Sequence, residues 1–327
     1  MSLTTVKLIK KYISLIVTVS VLILFGIYLY KNPQIINEIL STNWIYIVLI
    51  MIIYLGVFLF EGLFVKTSLN IFEKRIKVKE SFFLATVSRI GNYLLPMRAG
   101  AVFRATYLKK KYEFPYSNFL STFYGYYVIF FLTNSVISII ILLSKYLIDG
   151  ALFFPLILFF SLVLIGMLIL IFVRLPIKKI VEKTDGVVEK AFLFIDKFVK
   201  GWDLIVKDRK NFLMLILIAL GNIFLNTVIV FIEFIAIDKI PKILDVILYT
   251  AISGVSLLVS ITPGSLGIRE GIFLITSQSL GLSEAEIMRL AFLDRGVMFI
   301  LLLICLIILM ILSKKLTLKS IFFGKEN

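Results

Sequence analysis

Six runs of roughly twenty apolar residues, at 12–30, 43–65, 116–143, 151–173, 211–237 and 288–312, decide most of what this chain can become. Each is long enough to cross a hydrocarbon core about 30 Å thick. Inside hydrocarbon every backbone polar group must find its partner within the structure, so such runs read as transmembrane helices. The alternating pattern of barrel strands is absent. Hydrophobic residues make up 60% of the chain, above the roughly 45–50% of soluble domains by a similar count. The expected class is an all-α polytopic membrane protein.

The net charge of +15 would point to nucleic acid in a soluble protein. Here the lysines gather at the ends of apolar runs, where they hold loops in the cytoplasm and face anionic lipid. No nucleic-acid partner is expected. The chain has no histidine, which removes histidine triads, HExxH zinc sites and imidazole proton relays. Cys305 is the one cysteine and sits in an apolar run, so it reads as a small hydrophobe. Lys7, Lys10 and Lys11 precede an apolar run that reaches Tyr30 without a small-residue cleavage site. A retained first helix is expected there, not a signal peptide.

Two further apolar segments, 80–108 and 243–281, are each cut by proline and glycine. Their topology follows from the charges. The loop 66–79 carries Lys66, Lys74, Arg75, Lys77 and Lys79, and 80–108 ends at Lys109, Lys110 and Lys111. Both ends are cation-rich and belong in the cytoplasm, so the segment between them enters and returns: a re-entrant hairpin. The loops 31–42 and 144–150 are poor in cations, whereas 174–210 is lysine-rich, and 238–242 then falls outside. That parity puts 243–281 in from the opposite side and both termini in the cytoplasm. Within 178–206, Val181, Val188, Phe192, Ile195, Val199, Trp202 and Val206 recur mostly three or four apart, which predicts an amphipathic interfacial helix.

The two broken segments resemble each other. "SRIGNYLLPMRAGAVFRATYL" (88–108) and "SGVSLLVSITPGSLGIREGIFLI" (253–275) each place a glycine four residues after a proline, Pro96–Gly100 and Pro263–Gly267, with Arg104 or Arg269 following. A span with one glutamate, Glu61 or Glu233, precedes each; a span with an early glycine, Gly125 or Gly296, follows. The expected organisation is one membrane domain over 1–327: repeat 1 at about 43–143 with hairpin 80–108, the amphipathic helix at about 178–206, and repeat 2 at about 211–312 with hairpin 243–281. The hairpins are oppositely oriented, an inverted repeat of the kind transporters use.

Proline ends a half-helix because it lacks a donor and clashes with the preceding turn. Gly264 and Gly267 then allow a tight bend. Bare backbone at membrane depth must be covered by protein or water, so each break implies a cavity. An ionisable group inside a span costs about 2.5–3.5 kcal/mol at least, and normally faces a partner or a cavity. Arg98, Arg104, Arg269 and Glu270 lie at or just past the breaks and are candidate headgroup ligands. Arginine grips phosphate through two parallel hydrogen bonds. Asp294 and Arg295 on the last span and Glu61 extend the candidate set. For Arg89 a structural ion pair, and for Glu233 a hydrated position near the surface, explain the charge as well as a binding role does. Tyr107, Tyr124, Tyr126 and Tyr127 read as packing or interfacial aromatics.

These motifs resemble the lysylphosphatidylglycerol synthase transmembrane-region family, also called flippase-like or UPF0104. The family's P-x-R-x-G…R pattern is matched by Pro96, Arg98, Gly100 and Arg104. Its P-G-G-x-G-x-x-E pattern is matched by Pro263, Gly264, Gly267 and Glu270, with Ser265 where the second glycine usually stands. Arg295 also fits the family pattern. The resemblance implies a lipid-translocating module. In bifunctional relatives this part flips an aminoacylated phospholipid made by a separate soluble synthase domain. The chain ends at Asn327, soon after its last span, so no synthase activity is expected.

The expected protein is a multi-pass translocator of the cell membrane, moving a polar, phosphate-bearing lipid, whether phospholipid or glycolipid. It would need no cofactor and no metal. No nucleotide-binding G-x-x-x-x-G-K-[ST] loop is present. A homo-oligomer or a lipid-synthesis partner stays open. So do two other readings, a membrane-embedded transferase acting on lipid-linked substrates and a small-anion transporter.

Overall fold

A computed structural model describes residues 23, 26–28, 30–95, 98–172, 186–259 and 262–315. These residues form helices and short 3-10 turns, with no strand among them. We number the α-helices in chain order: α1 Pro33–Leu40, α2 Trp44–Ile71, α3 Val78–Leu94, α4 Ala99–Tyr112, α5 Tyr116–Asp149, α6 Phe154–Phe172, α7 Gly186–Lys207, α8 Arg209–Ala236, α9 Ile243–Val255, α10 Ile268–Ile275, α11 Ser277–Leu280 and α12 Glu284–Lys315.

Five of these, α2, α5, α6, α8 and α12, are long and apolar enough to cross a membrane. They match five of the six expected spans. The sixth, 12–30, lies almost wholly outside the described residues, as do Pro96 and residues 178–185 of the expected amphipathic helix. At 1.5 Å per residue, the 28-residue helices α2 and α8 run about 42 Å, which exceeds the hydrocarbon thickness and leaves their ends in the headgroup layers. Only 11% of the apolar window of α6 is buried, against 56% for α5. Leu158, Leu162, Ile165 and Ile169 on α6 are exposed, as a lipid-facing helix requires.

The described residues fall into two compact units. The first gathers the residues up to Val57, Thr86–Phe103 and those from Phe224 onward; the second holds Phe58–Ala85 and Arg104–Ile223. Neither coincides with a sequence repeat, since each takes residues from both.

In the second unit, Phe64, Ile129, Ile205, Leu215, Ile218 and Ala219 form a buried cluster. Helix α7 packs on α5 because small residues let it approach. A Cβ on Gly125 would lie 3.0 Å from the Trp202 ring, and the Ser121 hydroxyl donates to the Phe198 carbonyl (2.8 Å). Trp202 anchors the helix further by donating its indole N–H to the Leu170 carbonyl at 2.9 Å. Lys197 and Lys200 stay exposed, which fits the amphipathic pattern.

Both broken segments fold as antiparallel helix pairs. In the first pair, α3 and α4 touch near the bend: a Cβ on Gly91 would sit 2.8 Å from the Gly100 Cα, and one on Gly100 would overlap the Ser88 carbonyl. At the far end, Glu80 accepts hydrogen bonds from Tyr107 (2.9 Å), Lys111 (3.0 Å) and Tyr112 (2.8 Å). Burial pushes the Glu80 carboxyl up, but the bonds from Lys111, Tyr112 and Tyr107 outweigh it and hold the group below its ordinary value. Burial and the Glu80 carboxylate together push the Tyr112 hydroxyl up to about 12. The second pair, α9 and α10, stacks Tyr249 on Phe273 with ring centroids 4.0 Å apart.

The bend of the first pair differs from the sequence expectation in one respect. Gly100 lies inside α4 and serves close approach to Ser88. Among the described residues of this break, the left-handed one is Arg98, with φ 55°. In the second break the expected glycines do bend the chain, Gly264 at φ 55° and Gly267 at φ 81°, and Ser265 joins them at φ 54°.

Candidate functional site

The first unit brings Arg98, Arg269, Glu270, Asp294 and Arg295 together where the two breaks meet. Arg98 donates to the Leu257 carbonyl at 2.5 Å, which ties the first break to the 3-10 turn Ser256–Val259 of the second. Tyr93, at the end of α3, donates its hydroxyl to the Arg295 carbonyl (3.2 Å). Its ring lies against Gly264, where a Cβ would come within 3.0 Å. The approach therefore needs glycine twice over, for the space and for the positive φ.

Arg295 pins the second break. Its Nε donates to Glu270 Oε1 at 2.6 Å, and its Nη1 and Nη2 donate to the carbonyls of Gly264 (3.2 Å) and Ser265 (3.4 Å). A bent backbone leaves carbonyls without helical partners, and each would be costly if buried bare. The guanidinium fork satisfies two at once. Glu270, 2% exposed, completes the clamp by accepting from the Gly267 N–H at 2.8 Å. A carboxylate there also offsets the positive end of α10. The amide end expected to face an open cavity is thus closed by the chain's own glutamate.

Arg269, one residue before Glu270, turns to the opposite group. It pairs with Asp294, which also accepts from the Tyr54 hydroxyl. The Arg269 guanidinium lies 5.8 Å from the Phe273 ring centroid. Its Nε has no hydrogen-bond partner, and neither does the Tyr249 hydroxyl. Glu233 completes the group. The sequence placed it near a hydrated surface; the structure buries it to 2% exposure among Tyr54, Tyr249, Arg269 and Asp294. Helix α8 continues past it to Ala236, and the neighbouring helices cover its face.

Two candidates fall in the second unit. Arg104 stacks over Phe119, 5.7 Å from the ring centroid, with Glu61, Tyr126 and Tyr127 in its electrostatic surroundings. Tyr54, Tyr93 and Tyr249 were not singled out from the sequence. A phenol in an apolar run is ordinary at an interface, so nothing in its neighbours marks one that faces a buried ion pair.

The site is therefore a set of ion pairs inside apolar helices: Arg295–Glu270 holding bent backbone, and Arg269–Asp294 flanked by phenols and a further carboxyl. It can exchange a partner of Arg269 for an anion of similar size, since a carboxylate and a phosphate oxygen pair present the same geometry to a guanidinium.

A UPF0104 membrane protein of Methanothermobacter thermautotrophicus is 29% identical over 110 residues, which cover 34% of this chain and 31% of that protein. The match thus spans under a third of the relative's length. No solved structure matches the chain. The family description "Lysylphosphatidylglycerol synthase TM region" matches residues 12–305. That stretch takes in both broken helix pairs and every candidate site residue, and the chain belongs to this family.

Proposed function

We propose that the protein is a translocator of phosphate-bearing lipids and not an enzyme. The observation that carries this reading is the Arg269–Asp294 pair: an ion pair largely withdrawn from solvent at the junction of two broken helices, in a chain built mainly of apolar helices. On this reading the two helix pairs are re-entrant hairpins of opposite orientation, related as an inverted repeat, and both termini are cytoplasmic. Arg269 takes the phosphate, and Arg98 serves the same headgroup. Arg295 and Glu270 keep the break in shape, while Asp294 balances charge. The acyl chains stay in the bilayer. The membrane is the cell membrane, and the partners are phospholipids or glycolipids.

Headgroup-labelled phosphatidylglycerol in sealed proteoliposomes tests the reading. Faster exchange between leaflets than in protein-free vesicles is the expected result. Product formation from lipid-linked substrates in detergent, where sidedness is lost, would favour a transferase instead. Uptake of a soluble anion without lipid movement would favour an anion transporter.

A further inference from the structure

The charges at the junction of the breaks do not close in pairs. Arg295 is matched by Glu270 and Arg269 by Asp294. Glu233 has no such cation. It is 2% exposed and its Oε1 has no hydrogen-bond partner. The titratable groups that face it are Tyr54 from α2, Tyr249 from α9, Arg269 from α10 and Asp294 from α12. Glu270 lies a step further, beside Arg269 and Tyr249. Glu233 and Asp294 face the same Tyr54, Tyr249 and Arg269 side chains, and Asp294 is buried like its neighbour. A carboxylate has no proton to donate, so two carboxyls can bond to each other only when one of them keeps a proton. Two ionised carboxylates in contact would repel in a site with little water.

We propose that Glu233 and Asp294 form a proton-binding pair that takes up a second proton when Arg269 releases Asp294 to hold a lipid phosphate. At rest the pair holds one proton, and its single negative charge is matched by Arg269. When an anionic phosphodiester pairs with Arg269, the negative charge on Asp294 loses its counterion. One proton from the aqueous phase then restores neutrality: phosphate, Arg269 and a fully protonated pair. No bond other than the O–H bond forms. An anionic headgroup therefore travels with a proton. A zwitterionic headgroup brings its own cation for Asp294 and needs none. The inference rests on the translocator reading and adds the coupling to it.

The test uses the purified full-length protein in a weakly buffered detergent solution with a pH indicator, titrated with dihexanoyl phosphatidylglycerol while calorimetry counts binding. About one proton taken up per lipid bound is expected for the wild type, by linkage. Dihexanoyl phosphatidylcholine should bind with none. The doubly amidated variant E233Q/D294N, which keeps the shape of both side chains, should bind phosphatidylglycerol with no proton uptake. Binding of phosphatidylglycerol by the wild type without proton uptake overturns the proposal, as does unchanged uptake in the double variant. Should that variant fail to fold, the contrast between the two lipids on the wild type decides alone. Binding of neither lipid would sink the translocator reading and the coupling with it. The infrared band of a protonated carboxyl at neutral pH then separates the two failures. Its presence in the wild type leaves the one-proton pair standing, and its absence removes the pair as well.

Discussion

Ser265 sits in a backbone conformation that an L-residue adopts at a cost of about 1–2 kcal/mol, and it occupies the place of the family's second glycine. Ser265→Gly should therefore raise stability, by up to about 1 kcal/mol once the added freedom of the unfolded chain is subtracted. Thermal unfolding in detergent checks the sign. Gly100 is the opposite case. A methyl group there meets the Ser88 carbonyl, which belongs to a helix and cannot turn aside. Gly100→Ala should destabilise by about 1–3 kcal/mol, read as a lower unfolding midpoint and reduced yield. Arg295 makes three bonds to the second break. Arg295→Ala leaves Glu270 as an unpaired buried charge and should cost about 3–5 kcal/mol. The double substitution Arg295→Met with Glu270→Gln should recover part of that loss. Proline, glycine and arginine were all visible here in the sequence. That Arg98 and Arg295 would bond bent backbone carbonyls was not, because the donors and acceptors are over 150 residues apart for Arg98–Leu257 and 31 apart for Arg295–Gly264.

Helix pairs were the elements most legible in the sequence. Proline and glycine inside apolar runs, with lysines at both ends of 80–108 and charge parity for 243–281, predicted two broken segments, and each contains a pair of packed helices, α3–α4 and α9–α10. Which residue turns each corner was less legible. Pattern favours glycine at a left-handed position, and Arg98 adopts one here instead. The Glu80 cluster that closes the first pair escaped the sequence reading for a related reason. Its members recur 27 to 32 residues apart across two helices. Because its folded value lies below the ordinary 4.5, Glu80 adds stability that is present above that value and lost as the pH falls through the lower, folded one. Lys111 works the other way. Its folded value lies above the ordinary 10.5, so its contribution is present below that value and lost as the pH rises beyond it. Between those limits the cluster should hold the pair closed, and Glu80→Gln should abolish the acid-side loss in an unfolding profile against pH. Opposite orientation of the two pairs is checked by labelling. In a background with Cys305 replaced by serine, Lys77→Cys and Lys110→Cys should react from one side of the membrane, and Asp238→Cys and Ser283→Cys from the other.

The first unit holds a small charged interior at the two breaks, among helices whose described residues expose many apolar side chains. Composition and length were enough to read the membrane class, since no soluble fold can cover so many apolar runs. The interior could be read only as a set of candidates, because pairing depends on which helices become neighbours. Arg269–Asp294 and Arg295–Glu270 each join residues 25 apart on different helices, and Glu233 joins them from α8. The central claim is that this interior handles a lipid phosphate. Its most direct test is the rate at which headgroup-labelled phosphatidylglycerol changes leaflet in proteoliposomes carrying the wild type, Arg98→Ala or Arg269→Ala, each shown to be folded by a single gel-filtration peak. Movement by the wild type that both substitutions abolish is the predicted result. Equal movement by all three proteins would contradict it, and would mean that lipid passes elsewhere.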